Sequence, residues 1–170
     1  MCQIYHELGI HTFLTNRQRH SKEQYDSNTI MKMLVYSRLL FPVSKKSSYD
    51  NRERFFENTD YSLDDIYRCL SFLDKHRENL QVWMNDRIKK NYGRDTSLIY
   101  YDVTNYYFET DEPNDFLRKG VCKEYRPNPI VQMGLFIDNK GIPITYELFP
   151  GNTNDCLTYR PNLGRIKKAV

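Results

Sequence analysis

Residues 98–109 constrain this chain more than any other segment. They read Leu-Ile-Tyr-Tyr-Asp-Val-Thr-Asn-Tyr-Tyr-Phe-Glu. Ile, Val, Tyr, Phe and Thr fit a pleated, packed surface, so the run predicts a β-strand. Alternation puts Leu98, Tyr100 and Asp102 on one face and Ile99, Tyr101 and Val103 on the other. Asp102 is thus a lone carboxylate in an apolar and aromatic strand. Burying an unpaired charge is costly, so the pattern predicts a buried acid compensated by a cation. Two Mg²⁺ or Mn²⁺ ions held by such acids would support phosphoryl chemistry, because these ions take oxygen ligands. That chemistry needs more carboxylates than the chain supplies in comparable positions. A strand-end Asp that caps a turn or meets solvent is the alternative.

The rest of the second half continues the strand pattern. Residues 110–128 are polar and contain Pro113, Gly120, Pro127 and the basic side chains Arg118, Lys119, Lys123 and Arg126, which predicts a long, functional loop. Ile130–Ile137 is a nearly continuous apolar strand, suited to cover on both faces. Asp138-Asn139-Lys140-Gly141 predicts a hairpin turn with Gly at a position of positive φ. Ile142–Phe149 returns as a third strand that Pro150-Gly151 ends. Asn154 or Asp155 can then cap a helix beginning within Leu157–Ala169.

Residues 1–95 read as helical. Asp26-Ser27-Asn28 caps a helix whose apolar positions are Ile30, Met31, Leu34, Val35, Leu39 and Leu40. Pro42 ends it, since the residue before a proline is pushed out of the helical region. Ser44 caps a second, polar helix through Lys45–Glu57. The pair fits a helix–turn–helix that reads DNA, or ordinary bundle packing. Ser62-Leu63-Asp64-Asp65 resembles a capping box with Asp for Glu. The apolar stripe from Leu63 runs through Ile66, Tyr67, Leu70, Leu73, Leu80, Trp83, Met84 and Ile88 to about Lys90. Tyr92-Gly93-Arg94-Asp95 breaks the pattern, so residues 1–95 form a helical region and 96–170 a second domain.

The bulk numbers agree with a packed chain. Its 170 residues, 39% of them hydrophobic, suit one domain or one and a fraction, and exclude a disordered polymer. The net charge of +3 permits a nucleic-acid partner without demanding one. Residues 1–95 hold 16 Lys/Arg against 13 Asp/Glu, and residues 96–170 hold 9 against 9, so any basic surface is N-terminal. Cys2, Cys69, Cys122 and Cys156 form no C-x-x-C pair, which argues against zinc and for reduced thiols. The N-terminus has no basic region followed by an apolar run, and the longest apolar stretch is too short to span a bilayer. A soluble, cytoplasmic protein with no membrane partner is the expectation.

The order of blocks in the second half is specific. Tyr101-Asp102-Val103-Thr104-Asn105-Tyr106-Tyr107-Phe108-Glu109 is followed by Leu117-Arg118-Lys119-Gly120 and Lys123-Glu124-Tyr125-Arg126-Pro127. Gln132-Met133-Gly134-Leu135, Gly141-Ile142-Pro143-Ile144 and Phe149-Pro150-Gly151-Asn152-Thr153-Asn154-Asp155 come next. This series resembles the DDE transposases of bacterial insertion sequences, the insertion-sequence-four superfamily, closely over residues 96–160. Tyr36–Lys45 is more loosely similar to the family's helical leader.

The resemblance implies an α+β chain: an N-terminal helical region, then the first three strands of a ribonuclease-H-like domain, truncated. It implies DNA transposition by metal-dependent strand cleavage and transfer, with Mg²⁺ or Mn²⁺ held by an Asp, Asp, Glu triad. The first Asp maps onto Asp102, as catalytic residue and metal ligand. The second and third have no matching position, and Asp155, Glu109 and Glu147 do not occupy them. The expectation is therefore an inactive fragment, or alternatively a non-catalytic DNA-binding remnant that competes with an intact transposase. Arg118, Lys119, Lys123 and Arg126 would meet the phosphates of transposon-end DNA. Tyr106 and Tyr107 would stack on bases or pack in the sheet. An uncovered strand edge would favour self-association.

Overall fold

A computed structural model describes residues 2–54, 59–108, 114–120, 128–154 and 157–159. The protein is α+β, with helices followed by a three-stranded antiparallel sheet. It divides into two compact units, Met1–Arg87 and Ile88–Val170.

The first unit begins with α1 (Cys2–Glu7) and α2 (Ile10–Gln18). Gly9 joins them at φ 63°, a left-handed conformation that glycine adopts without strain. The Trp83 indole N–H donates to the Leu8 carbonyl at 3.0 Å and fixes this corner. α3 (Ser27–Leu40) starts as expected, with the Asp26 side chain accepting from the Asn28 N–H at 2.9 Å. Its buried side chains are Ser27, Ile30, Met33 and Ser37. Leu39 and Leu40, expected on its apolar face, are exposed, because the covered stripe follows the i, i+3, i+7 row into Ser37.

Ser44 caps α4 (Lys45–Asp50) by accepting from the Ser47 N–H at 3.1 Å. A 3₁₀ turn, Arg52–Arg54, follows. The expected continuation to Glu57 lies outside the described residues. The capping box at Ser62 and Asp65 forms in full before α5 (Leu63–Lys75). Hydrogen bonds from the Ser62 backbone and side chain hold the Asp65 carboxyl below its usual range. The single stripe expected through Ile88 is divided at His76 into α5 and α6 (Arg77–Tyr92). Ile30, Met33, Ile66 and Cys69 are fully buried in one cluster, and Tyr5, Ile10, Phe13 and Leu14 form another.

The second unit holds β1 (Tyr100–Tyr107), β2 (Ile130–Ile137) and β3 (Pro143–Pro150), in the order β1-β2-β3. Asp102 pairs with Leu135 and Tyr107 with Ile130, while Met133 pairs with Leu148. The hairpin forms at the expected residues, with Gly141 at φ 76°. Asp138 organises it: its Oδ1 accepts from the N–H groups of Lys140 and Ile142, both at 2.9 Å. Its Oδ2 meets Arg94 Nη1 at 3.2 Å, and both side chains are buried. Arg94 also donates to the carbonyls of Ile142 and Pro143, at 3.3 and 3.0 Å. No helix among the described residues is long and apolar enough to cross a membrane.

Candidate functional site

β1 alternates strictly between exposed and half-buried positions. Asp102 shares the exposed face with Tyr100, Thr104 and Tyr106. The expectation of a buried carboxylate is thus corrected. Parity was right, but the covered face is the other one. There the Tyr101 hydroxyl donates to Thr158 Oγ1 at 2.5 Å, and the rings of Tyr101 and Phe136 lie 4.4 Å apart, with Tyr159 against both. Gly134 makes this possible, since a Cβ there would stand 2.3 Å from the Tyr101 hydroxyl oxygen. On the open face, Thr104 Oγ1 donates to Asp102 Oδ2 at 3.4 Å and Tyr106 to the Met133 sulfur at 3.7 Å.

The blocks around Arg118 and Gly151 meet at one end of the sheet. Arg118 and Ile130 exchange backbone hydrogen bonds of 3.3 and 2.9 Å. The Gly151 N–H donates to Phe116 at 3.3 Å. Gly120 and Gly151 pass so closely that a Cβ on Gly120 would stand 1.8 Å from the Gly151 carbonyl oxygen. Close backbone approach therefore accounts for both glycines. Arg118 and Lys119 are exposed, and Arg118 meets Asp115 at 3.4 Å. Asp102 lies elsewhere. It pairs with Leu135, five residues along β2 from Ile130, which is about 17 Å of strand. The structure thus does not bring Arg118 and Asp102 together. Lys123 and Arg126 lie outside the described residues, as do Glu109 and Asp155. Glu147, opposite Gly134, stands on the face away from Asp102.

Two Mg²⁺ or Mn²⁺ ions would need several convergent oxygen donors. Asp102 offers one carboxylate, and among the described residues no three His, Cys, Asp or Glu side chains gather. The described part alone does not fit a two-ion centre. Sequence reasoning also missed the Arg94–Asp138 pair. The turn acid was legible from its hairpin, but its partner, 44 residues earlier, carried no local signal.

Comparison with known proteins finds no matching family model, no matching curated protein and no matching solved structure.

Proposed function

We propose that this chain belongs to a DDE transposase of the insertion-sequence-four superfamily, with Asp102 as the first triad carboxylate on the opening strand of a ribonuclease-H-like domain. The observation that carries the reading is the placement of Asp102. It stands on the open face of the first of three antiparallel strands, with residues 108–129 between the first two strands and a hairpin between the last two. That face leaves room for further acids to converge, and the reading has the second Asp and the Glu arriving there. The whole protein would cleave and rejoin transposon-end DNA in the cytoplasm. The part described supplies one acid, so on this reading it binds DNA without cutting it. Exposed Arg118 and Lys119, set apart from Asp102, favour the second reading of a non-catalytic DNA binder that competes with an intact enzyme.

The test is a paired assay on supercoiled plasmid carrying transposon ends. With Mg²⁺ or Mn²⁺ this chain should bind in a salt-dependent manner and leave the plasmid intact. Nicking abolished by Asp102→Ala would overturn the inactive reading. In a protein carrying all three acids, Asp102→Asn should abolish cleavage with little change in melting temperature, because the side chain is exposed. Retained cleavage there would remove Asp102 from the site.

A further inference from the structure

The corner between α1 and α2 brings two histidines together. His6 lies in the last turn of α1 and His11 in the first turn of α2, and their Nδ1 atoms are 3.2 Å apart. The ring centroids are 4.4 Å apart and the ring planes cross at 57°. The corner that holds them is fixed. Gly9 turns it at φ 63°, and a Cβ there would stand 3.3 Å from both Trp83 and Arg87. On the other side of the His11 ring, Nε2 meets Thr12 Oγ1 at 3.1 Å. When His11 donates there, its Nδ1 keeps the lone pair, and an oxygen on the second ring nitrogen is the usual way a ligating histidine is oriented. Burial, and after it His6 and Lys32, hold His11 below the ordinary histidine range, which keeps the imidazole neutral near pH 7.

The separation and the donor atoms select the ion. A tetrahedral Zn²⁺ about 2.05 Å from each nitrogen sets the two about 3.3 Å apart. A square-planar ion at the same distance sets neighbouring nitrogens about 2.9 Å apart. The observed 3.2 Å is nearer the first. Mg²⁺ and Ca²⁺ take oxygen and do not suit two imidazoles. We propose that His6 and His11 hold one Zn²⁺ through their Nδ1 atoms, with water on the two remaining positions, and that the ion clamps α1 to α2. The proton that His6 Nδ1 lends to His11 then moves to His6 Nε2, so both rings stay neutral and both ligate. His6 is exposed, so its ring can turn toward the shared ion while Nε2–H meets solvent. Cys2, one turn before His6, is not a third ligand. Its sulfur accepts from the Tyr36 hydroxyl at 3.6 Å, and among the described residues no three His, Cys, Asp or Glu side chains gather. The inference does not involve Asp102 or its chemistry.

The experiment titrates Zn²⁺ into the full chain near neutral pH by calorimetry, with melting temperature followed in parallel. Wild type should bind one equivalent, and its melting temperature should rise with Zn²⁺ as mass action requires. His6→Gln and His11→Gln should each weaken binding about 100-fold, because a lone imidazole loses the second, intramolecular contact. Thr12→Val should weaken it about 10-fold and Thr12→Ser restore it, since Thr12 acts by positioning His11. The chain's other histidines, changed together as His20→Gln/His76→Gln, and Cys2→Ser should leave the affinity unchanged. In NMR spectra the ring signals of His6 and His11 should shift with Zn²⁺ while those of His20 and His76 stay in place. The His6 side chain is exposed, so His6→Gln should keep the metal-free melting temperature. No Zn²⁺ binding by wild type, or equal affinity in wild type and the His6 and His11 variants, would overturn the site. A loss in Cys2→Ser as large as that in His11→Gln would overturn it as well, by moving the ion to the Cys2 and His6 side of α1.

Discussion

In the helical unit the fully buried side chains are mainly apolar: Leu14, Ile30, Met33, Ile66 and Cys69. In the sheet unit, burial takes in Gln132, Thr145, Thr158 and the Arg94–Asp138 ion pair beside Phe136 and Ile130. The contrast separates two ways of holding a fold. The helices gain from transfer of apolar area out of water, which tolerates small changes of shape. The sheet unit adds a buried ion pair, Arg94–Asp138, and removal of either partner leaves the other unsatisfied in a low-dielectric setting.

The largest test of this contrast is Arg94→Met. It leaves Asp138 buried opposite no cation, so the sheet unit should lose about 3–5 kcal/mol in urea unfolding. Arg94→Met/Asp138→Asn should recover much of that, because the stranded charge is gone. Burial draws the Arg94 guanidinium below its ordinary value and Asp138 opposes it, as a buried pair requires. An equal loss in the double variant would mean that Arg94 acts through its hydrogen bonds to carbonyls alone.

In the helical unit, Ile66→Ala should cost about 3 kcal/mol, as a cavity in a packed cluster does. Leu39→Ser, equally apolar in sequence, should change stability by no more than about 0.5 kcal/mol, because that side chain is already in water. Similar losses for the two would erase the distinction between the covered and open sides of α3.

A smaller effect lies at the turn of the sheet unit. Hydrogen bonds from Asn139 and Ser97 hold the Asp95 carboxyl down at about 2. A depressed carboxylate stabilises the fold fully above its unfolded value, about 3.9, and the contribution fades as pH falls toward the folded value. Wild type should therefore lose stability between about pH 4 and pH 2, and Asp95→Asn should show a shallower loss over that window. Parallel acid titrations followed by circular dichroism check it.

The smallest effect is one of access. Burial pushes the Cys69 thiol up to about 12, whereas Cys2 is exposed. At pH 8 iodoacetamide should modify Cys2 promptly and leave Cys69 untouched until denaturant is added, as peptide mass mapping would show. Rapid labelling of Cys69 in native protein would mean that its cluster opens readily.

The strands, the hairpin at Asp138–Gly141, the Asp26 cap and the Ser62–Asp65 box were legible because each depends on neighbours within a few residues. The exposed Leu39 and Leu40 were not. A helical apolar stripe is about 100° wide or more, and only the elements packed on α3 select the row ending at Ser37. The candidate site was legible in part. Asp102 was singled out because it is the odd residue in its strand; its parity was right and its exposure was misjudged.

Sequence by itself determined the alternation that puts Asp102 and Tyr101 on opposite faces, since side chains in a strand repeat every two residues. Which of those faces is covered was decided by tertiary structure, through Thr158 and Tyr159 meeting Tyr101 and Phe136. The approach of Gly120 to Gly151 and the pairing of Arg94 with Asp138 were decided there as well. Both join residues more than thirty positions apart, and no local propensity encodes a meeting that exists only once the chain has returned on itself.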